Sequence, residues 1–145
     1  RGMYIMGENP VLSDPDRTHT EKALSKLDLL VVQDIFLTET ARLADVVFPA
    51  LSWSEKSGTF TNMERRIQRV RKAVNPPGEA RNDLSIIADV SKRLGFQMQY
   101  SAEEILKEYG GLWPAMAGIT YDKNVQEPKD SFVDRFSKVL FRGRR

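Results

Sequence analysis

The chain has 145 residues, of which 41% are apolar and 29% charged, with a formal net charge of +2. That composition suits one globular domain of ordinary size and excludes a disordered or low-complexity chain. It has no cysteine and one histidine, His19, which excludes disulfides, cysteine-ligated iron–sulfur clusters and thiolate metal sites within the segment.

The chain opens Arg1-Gly2-Met3-Tyr4, directly at an apolar run with no visible signal peptide, and so reads as a cut from a longer chain. Residues 3–6 read as a strand that ends at the breaker cluster Gly7-Glu8-Asn9-Pro10. Asp14 and Asp16 are capping types, and Leu24 and Leu27 carry weak helical spacing, which predicts a helix over 17–26. Residues 27–32 are apolar except Asp28 and end in two valines, as expected of a parallel strand buried on both faces. Gln33 and Asp34 follow as a polar pair, and Thr38 can cap a short helix through Leu43. Residues 45–49 predict a third strand, stopped by Pro49. The longest apolar stretches, 29–32 and 46–51, are far too short to span a bilayer.

Strands alternating with short helices predict an α/β unit with a mainly parallel, Rossmann-like sheet. Beyond it, residues 52–62 read as a polar loop with a short extended piece, and 65–74 as a weak strand or extended arm. Asn82 caps a predicted helix from 83 to about 94, with Leu84, Ile87, Val90 and Leu94 as its apolar stripe and Gly95 as terminator. Ser101 and Glu104 form a capping box for a helix ending near Tyr109 at Gly110-Gly111. Residues 113–128 read as irregular. Phe132, Phe136 and Leu140 predict a last helix over 131–140.

In parallel sheets a ligand sits beyond the carboxyl ends of the strands. Here those ends are Gly7 to Pro10, Gln33-Asp34 and Pro49 to Leu51. The Gly7 loop offers backbone N–H groups to an anion, with Asn9 and Ser13 able to add side-chain bonds; it lacks the glycines of a dinucleotide fingerprint and the Lys-Ser/Thr of a P-loop, and on local grounds a plain strand–turn–helix link is the favoured reading. Asp34 suits a ribose hydroxyl or a helix cap. Asp83, at a helix start, suits a cap or the donor edge of a guanine. Arg65, Arg66, Arg69, Arg71 and Lys72 crowd into residues 65–72 and favour anionic partners. His19 reads as a solvated side chain rather than a metal ligand. No set of residues forms a catalytic constellation, so the residues alone predict a nucleotide- or phosphate-binding α/β domain without catalytic or metal-ligating residues of its own.

Four motifs in order resemble one family. They are Tyr4-Ile5-Met6-Gly7-Glu8-Asn9-Pro10; Val31-Val32-Gln33-Asp34-Ile35-Phe36-Leu37-Thr38-Glu39-Thr40-Ala41; Ala44-Asp45-Val46-Val47-Phe48-Pro49-Ala50; and Glu55-Lys56-Ser57-Gly58-Thr59-Phe60-Thr61-Asn62-Met63-Glu64-Arg65-Arg66-Ile67-Gln68. Together they resemble the molybdopterin oxidoreductases, and within them the formate dehydrogenase large (alpha) subunit, over residues 3 to about 122. The family often has leucine where this chain has Phe48.

The resemblance implies a three-layer αβα domain over residues 1–122, part of a larger subunit, followed by an unassigned helical tail over 123–145. It implies a bis-molybdopterin guanine dinucleotide carrying molybdenum or tungsten, with an iron–sulfur cluster elsewhere in the full chain. Gly7, Glu8, Asn9 and Ser13 would line its phosphate and ribose part. Gln33, Asp34 and Thr38 would sit on the nucleotide, Pro49 and Ala50 would pass close through backbone, and Asp83 would contact the guanine. The metal's ligand and the catalytic histidine and arginine of the family map onto nothing here. The implied partners are the rest of the large subunit and iron–sulfur electron-transfer subunits, in the cytoplasm. Related alternatives are the large iron–sulfur subunit of NADH dehydrogenase and a nitrate reductase. A basic nucleic-acid-binding module using residues 65–72 is the alternative of another class, and it lacks interleaved aromatics for base stacking.

Overall fold

In the computed structural model, which describes residues 1–64, 66–98 and 101–121, the three apolar runs pair in parallel. Strands β1 (Gly2–Met6), β2 (Leu29–Asp34) and β3 (Val46–Pro49) lie in the order β1-β2-β3, with Ile5 opposite Val32 and Val32 opposite Val47. The second strand lies later than the 27–32 expected. Leu27 still belongs to the preceding turn, its N–H bonded to the Leu24 carbonyl at 3.1 Å. At the other end, polar Gln33 and Asp34 remain in the ladder opposite Met6, Phe48 and Pro49.

Alternation along the strands divides the sheet into two faces. One carries Ile5, Leu30, Val32 and Val47. Helices α1 (Pro10–Ser13) and α2 (Arg17–Leu24) and the 3₁₀ turn at Ala41–Leu43 cover it, burying Val11, Leu24, Leu30, Val32 and Ala41 as one cluster. Pro10 opens α1 with the φ a first helical residue needs. Asp16 caps α2 by accepting the His19 N–H at 2.9 Å, so the backbone of the lone histidine serves a helix end. The other face carries Tyr4, Met6, Val31, Gln33, Val46 and Phe48, with the Tyr4 and Phe48 rings stacked at 6.3 Å between centroids.

After β3 the chain leaves the sheet and comes back. A 3₁₀ turn at Trp53–Glu55 leads into β4 (Gly58–Thr61), which pairs antiparallel with β5 (Ile67–Val70). The expected loop and extended arm are thus the two strands of one hairpin, turned at Asn62, whose side chain accepts the Arg66 N–H at 2.8 Å. The chain returns at Arg81, which forms an isolated parallel bridge with Ala50. Helix α3 (Asp83–Arg93) starts there, capped by Asn82. A side chain on the second face of the sheet, Gln33, bonds the first residue of α3, so this helix begins on the face opposite α1 and α2. A parallel sheet with helical elements on both sides is part of an αβα sandwich.

Two helix details differ from expectation. Leu94 belongs to the cap of α3 and not its stripe; it is 81% exposed because Gly95, with φ 87°, turns the chain away, while Ile86 is the buried residue of the helix. Helix α4 (Ala102–Leu112) runs through Gly110 and Gly111, with the Ser101–Glu104 capping box formed as expected. Neither glycine takes the left-handed conformation that ends a helix, and Gly110 admits a close approach, since a Cβ there would lie 3.2 Å from the Met116 carbonyl oxygen. The predicted helix over 131–140 and the rest of the tail lie outside the described residues.

Leu30 is 1% exposed at the centre of the apolar cluster. Leu30→Ala is expected to destabilise the chain by about 2–5 kcal/mol, read as a lowered urea midpoint at unchanged slope.

Candidate functional site

The carboxyl ends of β1, β2 and β3 meet at one edge of the sheet. Gly7 leaves β1 with φ 65°, a conformation that favours glycine, and donates its N–H to the Gln33 carbonyl at 2.9 Å. No atom lies within 4 Å of where its Cβ would be, so its backbone borders open space. Ala50 donates its N–H to the Asp34 carbonyl at 2.9 Å, which carries the β2–β3 ladder one step past Pro49.

Asn9 ties the first loop to the second. Its Oδ1 accepts the Thr40 hydroxyl at 2.7 Å and the Thr40 N–H at 3.2 Å, and its Nδ2 donates to Glu39 at 2.8 Å. Thr40 is fully buried, and its hydroxyl oxygen also accepts the Val11 N–H at 3.1 Å. The hydrogen bond from Asn9, together with one from Glu39's own backbone, holds the Glu39 carboxyl below its ordinary range. Thr38 accepts the Ala41 N–H at 3.2 Å and so opens the 3₁₀ turn. Asp34 folds its carboxylate back onto the Phe36 N–H at 3.0 Å. Both loops at this edge are therefore held by side-chain bonds across them.

The centre of the edge is a chain of four side chains. Gln33 has no exposed surface, and a buried amide must find partners at both ends. Its oxygen accepts the Tyr4 hydroxyl, and its nitrogen donates to Asp83 Oδ1 at 2.7 Å. The second oxygen of Asp83 takes the Lys56 ammonium. Burial, and then the negative charge of Asp83, push the Tyr4 hydroxyl above its ordinary pKa. Asp83 reaches this place through the Ala50–Arg81 bridge, with the Arg81 N–H on the Pro49 carbonyl at 2.9 Å and the Leu51 N–H on the Arg81 carbonyl at 3.1 Å.

Of the ten predicted site residues, Gly7, Gln33, Asp34, Pro49, Ala50 and Asp83 thus gather at the strand ends through backbone or side-chain bonds. Asn9 and Thr38 fix the adjoining loops. Glu8 and Ser13 are exposed beside them. Sequence reasoning assigned no role to Tyr4, Lys56 or Arg81. Tyr4 and Lys56 lie inside the quoted motifs, but neither has a local partner, and their roles depend on contacts distant in sequence. A separate open cleft of about 800 Å³ between α3 and α4 contains none of the ten. Among the described residues, no group of three or more histidine, aspartate or glutamate side chains could hold a metal.

The arrangement offers chemistry of the kind a nucleotide uses. The Gly7 N–H is spent on Gln33, but the loop backbone there borders open space that an anion could approach, and carboxylates at strand ends suit ribose hydroxyls or base N–H groups. The sequence profile of the molybdopterin oxidoreductases matches residues 1–93. The chain belongs to that family. Its relatives include the F420-dependent formate dehydrogenase subunit alpha of Methanocaldococcus jannaschii, 58% identical over 124 residues, which make up 83% of this chain and 18% of that protein. Formate dehydrogenase H of Escherichia coli is 43% identical over 124 residues, covering 85% of this chain and 17% of that one. Among solved structures, acetylene hydratase from Pelobacter acetylenicus shares the fold, with a TM-score of 0.65 at 23% identity over 85% of this chain and 17% of that chain. The chain therefore spans less than a fifth of the length of these relatives. A molybdopterin cofactor is the family's ligand, and the strand-end edge carries carboxylates, an ammonium and open loop backbone, groups chemically compatible with its polar parts.

Two expected outcomes test this geometry. Asn9→Ala leaves the buried Thr40 hydroxyl without its acceptor and should destabilise the chain by about 1–3 kcal/mol in urea titrations. The same variant should raise the Glu39 carboxyl back toward its ordinary value. A depressed carboxyl contributes stability above its unfolded pKa that is lost as pH falls through the folded one, so the acid limb of a pH–stability profile should flatten in Asn9→Ala. Raised Tyr4 gives the opposite limb. Stability should fall as pH climbs from about 10 through the folded pKa of the hydroxyl, and Tyr4→Phe should remove that component.

Proposed function

We propose that this chain is the part of a formate dehydrogenase-type alpha subunit that holds one guanine dinucleotide arm of its molybdopterin cofactor. The observation that carries the reading is the Gln33–Asp83 bond, which fixes a carboxylate beside the carboxyl ends of three parallel strands. Gly7, Glu8, Asn9 and Ser13 would hold the phosphate and ribose part. Gln33, Asp34 and Thr38 would sit on the nucleotide. Pro49 and Ala50 would border it with backbone, and Asp83 would take the guanine. Residues 1–122 would form this unit and 123–145 a tail outside it.

When bound, the cofactor supplies a molybdenum or tungsten centre at which formate is oxidised to carbon dioxide, the electrons leaving through iron–sulfur clusters in the rest of the subunit and its partner subunits. This chain's residues would bind and orient the nucleotide end, a role proteins take for many cofactors. The relatives named as formate dehydrogenases support that reading over other members of the family. Within the basic run, Arg66 is paired to Glu64 and the Arg69 guanidinium lies 4.1 Å over the Tyr121 ring, which argues for a structural use of those two cations over nucleic-acid binding.

Calorimetric titration with GMP, GDP and AMP tests the reading. Guanine nucleotides are expected to bind at least about tenfold more tightly than AMP, with that preference lost in Asp83→Ala and overall affinity reduced in Asp34→Ala. Equal binding of GMP and AMP would overturn it.

A further inference from the structure

The Lys56–Asp83 pair is more than a surface ion pair. Both side chains are largely covered, at 26% and 22% exposure. Lys56 is delivered by a segment fixed on several sides. Ser52 and Glu55 close a reciprocal capping box around the 3₁₀ turn before it. The Ser54 carbonyl accepts the Ala73 N–H at 2.8 Å, and the Ser57 hydroxyl accepts the Lys72 N–H at 3.0 Å. The residues on either side of Lys56 are thus anchored to residues 72–74, just after β5, and Lys56 itself is extended. On the far side of the carboxylate, fully buried Gln33 holds Oδ1.

This juxtaposition creates a row of one donor and two acceptors. An ammonium has three N–H groups, and one is used on Asp83 Oδ2. Each carboxylate oxygen has two lone pairs, so Oδ2 and Oδ1 each keep one after accepting Lys56 and Gln33. Along its pairing edge guanine presents, in order, the O6 acceptor, the N1–H donor and the N2–H donor. Adenine presents a donor where guanine has O6 and an acceptor where guanine has N1–H.

Resting on the reading of Asp83 as the guanine contact, we propose that Lys56 is a specificity-determining residue of the same site, donating to guanine O6 while Asp83 accepts N1–H and N2–H. The pair then matches the whole edge, as a cytosine would, and adenine meets a donor with a donor and an acceptor with an acceptor. Gln33 contributes by holding the carboxylate's orientation.

A ligand–protein double-mutant cycle tests the O6 contact. The chain, Lys56→Met, Lys56→Arg and Asp83→Ala would be titrated calorimetrically with GMP, AMP and 6-thio-GMP, whose sulfur is a poor acceptor at that one position. The chain is expected to prefer GMP over 6-thio-GMP about tenfold, one hydrogen bond's worth. Lys56→Met should lose about tenfold for GMP and bind the two ligands alike, and Lys56→Arg should keep the preference and show that the position tolerates substitution. If Lys56→Met weakens both ligands equally, or weakens neither, the O6 assignment is overturned while an Asp83-dependent preference for GMP over AMP leaves the nucleotide site standing. If the chain does not prefer GMP over AMP at all, the site reading falls, and Lys56's role falls with it.

Discussion

A primary amide with no exposed surface in the middle strand of a sheet constrains everything around it. Gln33 costs free energy to bury unless its oxygen and nitrogen are both bonded. The strand ladder cannot satisfy them, because ladder bonds use the backbone alone. Tyr4 from the neighbouring strand supplies one partner, and Asp83, distant in sequence, supplies the other. That requirement ties the position of α3 to the sheet more specifically than apolar packing could. It also places a carboxylate at the edge where the three strands end, and Lys56 arrives there as its counter-charge. One polar thread thus sets both the placement of α3 and the charge at the strand-end edge.

The Asn9–Thr40 contact has a similar double nature on the other side of the sheet. A buried threonine hydroxyl links the start of α1 to the loop after β2, and Asn9 completes its bonds. A residue expected to line a ligand is occupied here in shaping the walls around it. These uses are compatible, since a loop must be stiff before its backbone can present N–H groups to an anion at low entropic cost.

Much of this was legible in the sequence because it is local. The apolar runs at β1, β2 and β3, the breaker at Gly7, and the caps at Asp16, Asn82 and Ser101 each announce themselves within a few residues. The β2 boundary was misplaced because Gln33 looks like a terminator in a hydrophobic pattern, and only a tertiary partner makes it affordable inside a strand. The hairpin was faint because neither face of β5 is cleanly apolar. The ordered motifs carry eight of the ten expected site residues; Ser13 and Asp83 lie outside them, and nothing local distinguishes that aspartate from an ordinary cap. Lys56 had no signal of its own in composition or spacing, because its meaning depends on a chain reversal that brings residue 81 beside residue 50.

That reversal separates two kinds of change the chain can undergo. The backbone leaves the sheet at Leu51 and rejoins it at Arg81, and the two ends of the excursion are bonded to each other. Closing a loop grows only slowly more costly with its length, about 0.6 kcal/mol for each doubling. The tip of the hairpin can therefore lengthen, shorten or be rebuilt over evolutionary time with little effect on Asp83, whereas the first few residues of the excursion, through Lys56, are bound to the site's geometry. The hairpin is in effect a graft point, where new outward-facing surface can be added without redrawing the strand-end edge.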